Sequence, residues 1–274
     1  MKEKNTPMIS VIMGIYNCAS TLPEAIESVL NQTYQDFEFV MCDDGSTDDT
    51  FEIANKYARE YPDKIVLVKN EKNMGLNYTL NHCLQVAKGK YIARMDGDDR
   101  SLPERLQMEL EFLEEHPEYA VVGVALELFD DEGVWGHTRF KAEPQPEDLV
   151  RRTCFSHAAC MVRKCVYDEV GGYSEGKKLM RVEDKHLWYK IYAAGYKGRN
   201  LDQVLYSYRD DRAGYTKRKL KYRFNSFYVS TFSIKTFRLP FYYYFYAARP
   251  ILVGMLPYPI YMRLHKRKMT KKSK

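Results

Sequence analysis

The sequence has no Cys-x-x-Cys pair, no Gly-x-Gly-x-x-Gly, no Walker-type lysine and no apolar run of twenty residues free of charge and proline. Each absence closes a class of protein. The six cysteines, Cys18, Cys42, Cys83, Cys154, Cys160 and Cys165, lie mostly in apolar runs. They read as reduced, packed thiols of a cytosolic protein, not as a disulfide frame or a zinc site. Without a glycine-rich phosphate turn, neither a dinucleotide fold nor an ATPase is expected. Residues 1–7 are polar and lack the apolar core of a signal peptide. Residues 239–262 are strongly apolar, but Arg249, Pro240, Pro250, Pro257 and Pro259 interrupt them. A transmembrane span wants roughly 20 uninterrupted apolar residues, so this is not a clean one. There is no internal repeat, and no low-complexity tract precedes the basic carboxyl end.

What is present is a regular alternation. At 274 residues and 45% hydrophobic content, the chain can bury a full core in one large domain, or in one domain plus an appendage. Apolar runs at residues 9–13, 37–42, 65–68 and 91–95 read as buried strands. Between them lie segments with helical spacing: Leu22, Ala25, Ile26, Val29 and Leu30; Phe51, Ala54, Tyr57 and Ala58; Leu76, Leu80, Cys83, Leu84 and Ala87. Thr21 with Glu24, Ser46 with Asp49 and Ser101 with Glu104 read as capping boxes. Strands joined by crossover helices give a right-handed, mostly parallel sheet covered on both faces. The expected fold class is α/β, a Rossmann-like sheet flanked by helices.

The loops at the carboxyl ends of the four strands carry the unusual residues, and in such sheets that rim is where ligands bind. Strand one ends in Gly14-Ile15-Tyr16-Asn17, strand two in Asp43-Asp44-Gly45-Ser46, strand three in residues 70–75, and strand four in Asp96-Gly97-Asp98-Asp99. Three carboxylates at a strand end cannot be buried as bare charges, so they should face water or a cation. Hard oxygen ligands favour magnesium, manganese or calcium. A solvated acidic turn is the alternative. A calcium loop of the helix–loop–helix kind fits poorly: counted from Asp96, Arg100, Ser101 and Gln107 occupy the third-ligand, glycine and closing-glutamate positions. Together the rim suits a nucleotide, with Tyr16 to stack on a base, Asp43 to accept from a base N–H, and a metal to hold a diphosphate.

Residues 9–17, Asp43-Asp44-Gly45-Ser46, Asn73-x-Gly75 and Asp96-Gly97-Asp98-Asp99, with a downstream Glu183-Asp184-x-x-Leu187-Trp188, resemble the family 2 glycosyltransferases, inverting enzymes of the GT-A fold that build bacterial surface polysaccharides. The resemblance covers roughly the first 210 residues. It implies a nucleotide-diphosphate-sugar donor, with a UDP-sugar expected, a divalent cation (Mn2+ or Mg2+), and transfer to a hydroxyl with inversion. It makes Asp184 the general base, Asp98 the metal ligand, Asp43 a base contact and Asp96 a ribose neighbour. Ile15, Tyr16, Asn17, Asp43, Asn73, Arg94, Asp96 and Gly97 form the candidate donor site. His157, Glu183 and Trp188 are candidates for the acceptor side or for supporting the site. Gly14 stands where the family often has proline, and His186 where it commonly has an acid. Asp210 and Asp211 follow Tyr208-Arg209 where a histidine is frequent. The remaining protein ligand of the metal is thereby left open.

The middle of the chain should supply the acceptor side. Residues 120–128 and 134–140 read as paired strands about the turn at 130–133, residues 144–152 as a short helix, and residues 174–180 as a polar loop able to move over the donor. His157 sits in an apolar setting, where a packed, hydrogen-bonded histidine is the alternative to a catalyst. Glu183 and Asp184 open a helix through Leu187, Trp188, Ile191 and Tyr192, where acids also complement the helix dipole. At 3.6 residues per turn the two point about 100° apart, so both cannot face one atom.

After residue 212 the composition changes, giving a division into a catalytic unit, 1–212, and a basic, aromatic-rich helical extension, 213–274. Lys217, Arg218, Lys219, Lys221 and Arg223 crowd the start of a helix whose apolar face carries Leu220, Phe224, Phe227 and Phe232. Cations there oppose the helix dipole and make more sense against anionic head groups, at about 1 kcal/mol per basic residue. Broken helices lying in the interface, flanked by the basic residues 265–274, would place the protein peripherally on the cytoplasmic face of the membrane. The alternative is a packed extension with a solvated tail. Nucleic acid is not expected as a partner, for want of a binding module. The acceptor would then be a glycan or lipid-linked hydroxyl. Two other functions compete: a non-catalytic, membrane-bound nucleotide-sugar-binding protein, and a sugar-phosphate nucleotidylyltransferase. The second needs a basic, glycine-rich first loop that residues 14–21 do not supply.

Overall fold

The computed structural model describes residues 6–211 and 219–256. Strands β1 (Ile9–Ile15), β2 (Phe37–Asp43), β3 (Ile65–Lys69) and β4 (Tyr91–Asp96) alternate with helices α1 (Leu22–Leu30), α2 (Thr50–Glu60) and α3 (Leu76–Val86). Each of the first four strands runs one or two residues further than its apolar run, so that β2 ends on Asp43 and β4 on Asp96. β1 lies between β2 and β4, parallel to both, in a register that sets Ile15 beside Asp43 and Gly14 beside Asp96. The candidate rim residues are thereby side by side at one end of the sheet.

The second half departs from simple winding. It runs through β5 (Arg100–Ser101), α4 (Arg105–Glu115), β6 (Val121–Asp130), β7 (Gly133–Thr138), α5 (Asp148–Arg151), β8 (Cys160–Arg163), α6 (Lys164–Val170), α7 (Glu183–Ala193) and β9 (Gly198–Arg209). Among the described residues the strands form one sheet in the order β3-β2-β1-β4-β8-β6-β9-β5, with β7 paired to β6. β8 is antiparallel to both β4 and β6, whereas β9 is parallel to β6. The sheet is therefore mostly parallel on one side and mixed on the other. β7 pairs with β6 as the sequence led one to expect.

Alternation along β1 divides the core into two layers. Ile9, Val11, Met13 and Ile15 pack with Leu22, Ile26, Leu106 and Leu113 on the α1 and α4 side. Ile12 packs on the other side with Leu80, Cys83, Leu187 and Ile191. The period of two in a buried strand is what lets one segment serve both layers.

The three capping boxes are not used as such. Thr21 precedes α1, but its hydroxyl donates to Gly97 O at 2.8 Å and Cys18 O at 3.2 Å. Asp49, not Ser46, immediately precedes α2. Ser46 Oγ instead accepts from Asn17 N at 3.1 Å. Ser101 lies in β5, and Glu104 precedes α4 without capping it. These short polar side chains join one loop to another, because orphan donors in neighbouring loops compete with helix ends for the same oxygens.

Helices α8 (Leu220–Thr236) and α9 (Tyr243–Met255) pack on α5 and α7, with Val150, Ile234, Tyr243 and Ala247 as a small core. Of the apolar face read for α8, Leu220 and Phe224 are exposed, while Val229, Ser230, Ser233 and Ile234 form the buried side. The helix is apolar on more than one side, and its serines allow close approach to α7, where Lys185 Nζ donates to Ser230 Oγ at 2.6 Å. The helices are broken between α8 and α9, where Pro240 lies, whereas α9 continues through Pro250. Among the described residues no helix is long and apolar enough to cross a membrane. The division at 212, Lys217, Arg218, Pro257, Pro259 and the basic residues 265–274 lie outside the described residues.

Gly89 is where α3 returns to the sheet. Its N–H donates to Ser10 Oγ at 2.7 Å, and Ser10 Oγ donates to Glu38 Oε1 at 2.6 Å. A Cβ on Gly89 would come within 2.6 Å of Ile9 C. Gly89→Ala should therefore destabilise the fold by about 1–3 kcal/mol, the usual cost of overpacking, read as a lower urea midpoint at unchanged slope.

Candidate active site

Four strand ends build the site, and hydrogen bonds hold their loops together. After β1, Asn17 adopts the left-handed conformation (φ 48°). Its N–H donates to Ser46 Oγ, and its Oδ1 accepts from Thr47 N at 2.9 Å. Asn17 thus clasps the first loop to the second, and its side-chain oxygen is committed there. The side chain of Ile15 is in the core, and its carbonyl accepts from Asp44 N at 2.9 Å. Of this loop, Tyr16 is the residue left open, with 45% of its surface exposed.

Asp43 and Asp44 divide two tasks. Asp44 is buried and accepts from Asn70 Nδ2 at 2.8 Å, Met74 N at 2.8 Å and Gly75 N at 2.9 Å, so it shapes the whole third loop. Gly45 (φ 71°) closes that contact, since a Cβ there would lie 2.7 Å from Lys72 C. This brings exposed Asn73 over the second loop. Asp43 is also fully buried. Its Oδ2 accepts from Ser46 N at 3.2 Å, with Lys69 Nζ at 3.9 Å, while its Oδ1 has no partner. A buried carboxylate oxygen without a donor is costly and calls for one.

After β4, Asp96, Asp98 and Asp99 present oxygens within 4.8 Å of one another. Three like charges at this spacing repel strongly, and the surroundings offset two of them. Buried Arg94 forms a two-bond fork to Asp96, one of them NH1 to Oδ2 at 2.6 Å. Asp99 accepts from the Tyr206 hydroxyl at 2.9 Å and from Arg209 N at 2.8 Å. The expectation that all three face water or a cation is thus corrected for Asp99, which is buried and satisfied by β9. Asp98 is exposed to the cleft, and desolvation there, with the charge of Asp96, holds its carboxyl above the usual range. Asp98 is the exposed carboxylate of the three. Gly97 lets the turn tuck under β1: a Cβ would meet Cys18 Sγ at 3.0 Å.

On the acceptor side, Glu183 and Asp184 form the first turn of α7, both half-buried. Burial, and then the charge of Asp184, pushes Glu183 up. Trp188 is buried against Phe155 and His157. His157 Nε2 is 2.7 Å from the Tyr173 hydroxyl, and burial with the nearby Arg94 charge pushes the imidazole well below its ordinary value. Of the two alternatives for His157, the structure favours the packed, neutral histidine.

The residues standing where the family commonly has metal-site groups lie elsewhere. His186 packs against Tyr189 and Phe232 and is pushed down to about 4 by burial. Asp210 N donates to Phe129 O, and Asp211 pairs with Arg209 at 3.8 Å. Among the described residues neither aspartate joins the acidic cluster.

Several supporting residues escaped the sequence analysis: Asp44, Tyr206, Arg209, and Arg105, whose NH2 donates to Arg94 O at 2.9 Å from full burial. Half-exposed Tyr208 also lies close enough to Asp99, Asp96 and Asp98 for their charges to push its phenol up beyond the effect of burial. The Val204-to-Tyr208 alternation was the available signal for β9, and its alternate tyrosine, Tyr206, points at Asp99.

Residues 10–171 match the family described as Glycosyl transferase family 2. The chain is 40% identical over 263 residues to EpsE of Bacillus subtilis (strain 168), a protein named as a glycosyltransferase, covering 96% of this chain and 95% of that one. It is 29% identical over 214 residues to the UDP-Glc:alpha-D-GlcNAc-diphosphoundecaprenol beta-1,3-glucosyltransferase WfaP of Escherichia coli, covering 78% of this chain and 82% of that one. Its fold is similar to that of S. aureus TarS 1-349, solved in complex with UDP-GlcNAc: TM-score 0.66, 21% identity, 82% of this chain and 66% of that one. Neighbours of this kind share the GT-A fold expected from the motifs.

Asp44→Ala would remove the acceptor of Met74 N and Gly75 N and one of the two acceptors of Asn70 Nδ2. It should cost at least about 2 kcal/mol of stability and weaken nucleoside-diphosphate binding, measured by urea unfolding and calorimetric titration.

Proposed function

The chain belongs to glycosyl transferase family 2, and on that premise we propose that it moves a sugar from a UDP-sugar, with inversion, onto a hydroxyl of a glycan or lipid-linked acceptor in polysaccharide synthesis. The observation that carries the donor assignment is the unpartnered, buried Asp43 Oδ1 at the rim. A ring N–H such as that of uracil is the donor it lacks; adenine has no ring N–H in its neutral form. Exposed Tyr16 offers a stacking face beside it, and exposed Asn73 stands on the loop packed against Gly45.

The residues present fit a divalent cation. Asp98 opens to the cleft, hard oxygen donors surround it, and the close acids are less repelled once a positive charge lies among them. A cation held there would screen charge developing on the departing diphosphate. Asp96, held by Arg94, would lie near the ribose. Asp184 takes the proton from the acceptor hydroxyl, which attacks the anomeric carbon from the face opposite the nucleotide. Its value as a base lies in its position against the acceptor hydroxyl. Glu183 points about 100° away along the helix and supports Asp184 without sharing its target. We assign residues 1–212 to this chemistry and residues 213–274 to holding the enzyme on the cytoplasmic face of the membrane, where a lipid-linked acceptor would be met.

Two experiments test this. In a thermal-shift panel of nucleoside diphosphates, UDP with manganese should raise the melting temperature of the wild type and not of Asp98→Ala. A ligand at a hundredfold excess over Kd adds about 2.7 kcal/mol. Because the Asp98 carboxyl sits above the ordinary range, this stabilisation should fade on acidification earlier than an ordinary carboxylate would allow, and return on raising the pH. Asp184→Asn should bind UDP and manganese as the wild type does and lose transfer by a factor of a hundred or more; undiminished turnover would remove Asp184 from its role.

A further inference from the structure

The sequence is electrically divided. Residues 212–274 carry 16 of the 42 Lys and Arg residues and none of the 37 Asp and Glu residues, so the overall +5 conceals an acidic catalytic part and a strongly basic extension. The described part of that extension exposes apolar surface. On α9, Phe245, Leu252 and Met255 are 71%, 62% and 69% exposed, and Phe241 just before the helix is 75% exposed. At 100° per residue these four fall within about 80° of one another, on the side away from the buried Tyr243 and Ala247. On α8, Phe224 and Tyr228 are also exposed, at 52% and 38%. A helix with one apolar face in the core and another in solvent marks an interaction surface.

We propose that this outer stripe of α9 is the face by which the protein docks on an anionic phospholipid surface. The inference deepens the reading above by naming the membrane-contacting residues, and it rests on that reading for its biological sense. Charge complementarity selects this occupant. A second copy of the chain would bring two strongly basic extensions together, whereas anionic head groups neutralise them. Aromatic rings at the edge of an apolar stripe suit the interfacial depth of a bilayer.

The docking helix is joined to the chemistry through α8, on which it packs. Asn225 Nδ2, on α8 next to Phe224, donates to Met180 O at 3.0 Å, and Lys178 Nζ lies 5.1 Å from the Tyr228 ring centroid. α8 therefore grips the loop that leads into Glu183 and Asp184. An acceptor carried in the bilayer would arrive beside that loop.

The test is sedimentation of the full chain with vesicles of phosphatidylglycerol and phosphatidylcholine, or of phosphatidylcholine alone. The wild type should bind the anionic vesicles, more weakly at high salt, and bind the neutral ones poorly. The double variant Phe245→Ser/Leu252→Ser, both at exposed positions, should bind at least tenfold more weakly while keeping the wild-type melting temperature and UDP–manganese shift. Absence of wild-type binding to anionic vesicles, equal binding by the variant, or a concentration-dependent dimer dispersed by the variant would each overturn the proposal. The UDP shift is measured separately, so failure of the donor site and failure of the docking face give different results.

Discussion

The structure depends on how three aspartates at the end of one strand are kept from repelling one another apart. Asp96 is met by a guanidinium, Asp99 by a phenol and a backbone N–H, and Asp98 by nothing so direct. Each solution recruits a different part of the chain. Arg94 comes from the strand that carries the acids, and Arg105 of α4 supports it by donating to its carbonyl. Tyr206 and Arg209 come from β9, more than a hundred residues later. The mixed half of the sheet therefore has a function beyond covering the core: it carries the donors that make Asp99 tolerable when buried. The charge left without a direct partner is the one that a ligand can use.

The same division between holding and touching runs through the other loops. Asp44 and Asn17 are polar residues in the right motif, yet their oxygens are committed to backbone N–H groups of neighbouring loops. Their neighbours Asp43 and Tyr16 keep a free oxygen and a free face. A rim built from adjacent loops needs such cross-links, because loop backbone without ladder partners must find acceptors elsewhere. Half of each motif is spent on making the other half rigid, and that rigidity holds Asp43 Oδ1 in place without a partner of its own.

The first ninety residues were legible because period-two strands and period-3.6 helices alternate there with unambiguous breaks. The acidic turn and the helix opened by Glu183 and Asp184 were legible by motif. Three things were not. Ser46, Thr21 and Ser101 have the spacing of helix caps, but the competing loops that claim their oxygens are distant in sequence. β9 reads as irregular because Asn200, Asp202 and Gln203 break its alternation before Val204 restores it. The buried face of α8 could not be chosen from sequence because Leu220, Phe224, Val229 and Ile234 offer apolar options on different sides. In each case the deciding partner lies far away in the chain.

α8 and α9 are more than an attached anchor. Lys185 sits one residue after Asp184, and its ammonium is fixed by Ser226 and Ser230 of α8. The loop before the same helix is fixed at Met180 by Asn225. The amino end of α7 is thus held from both sides by one face of α8. In the proposed reaction Asp184 contributes through placement, and placement depends on what its helix rests on. The part of the chain with no acidic residue of its own is therefore a support of the helix turn that carries Asp184.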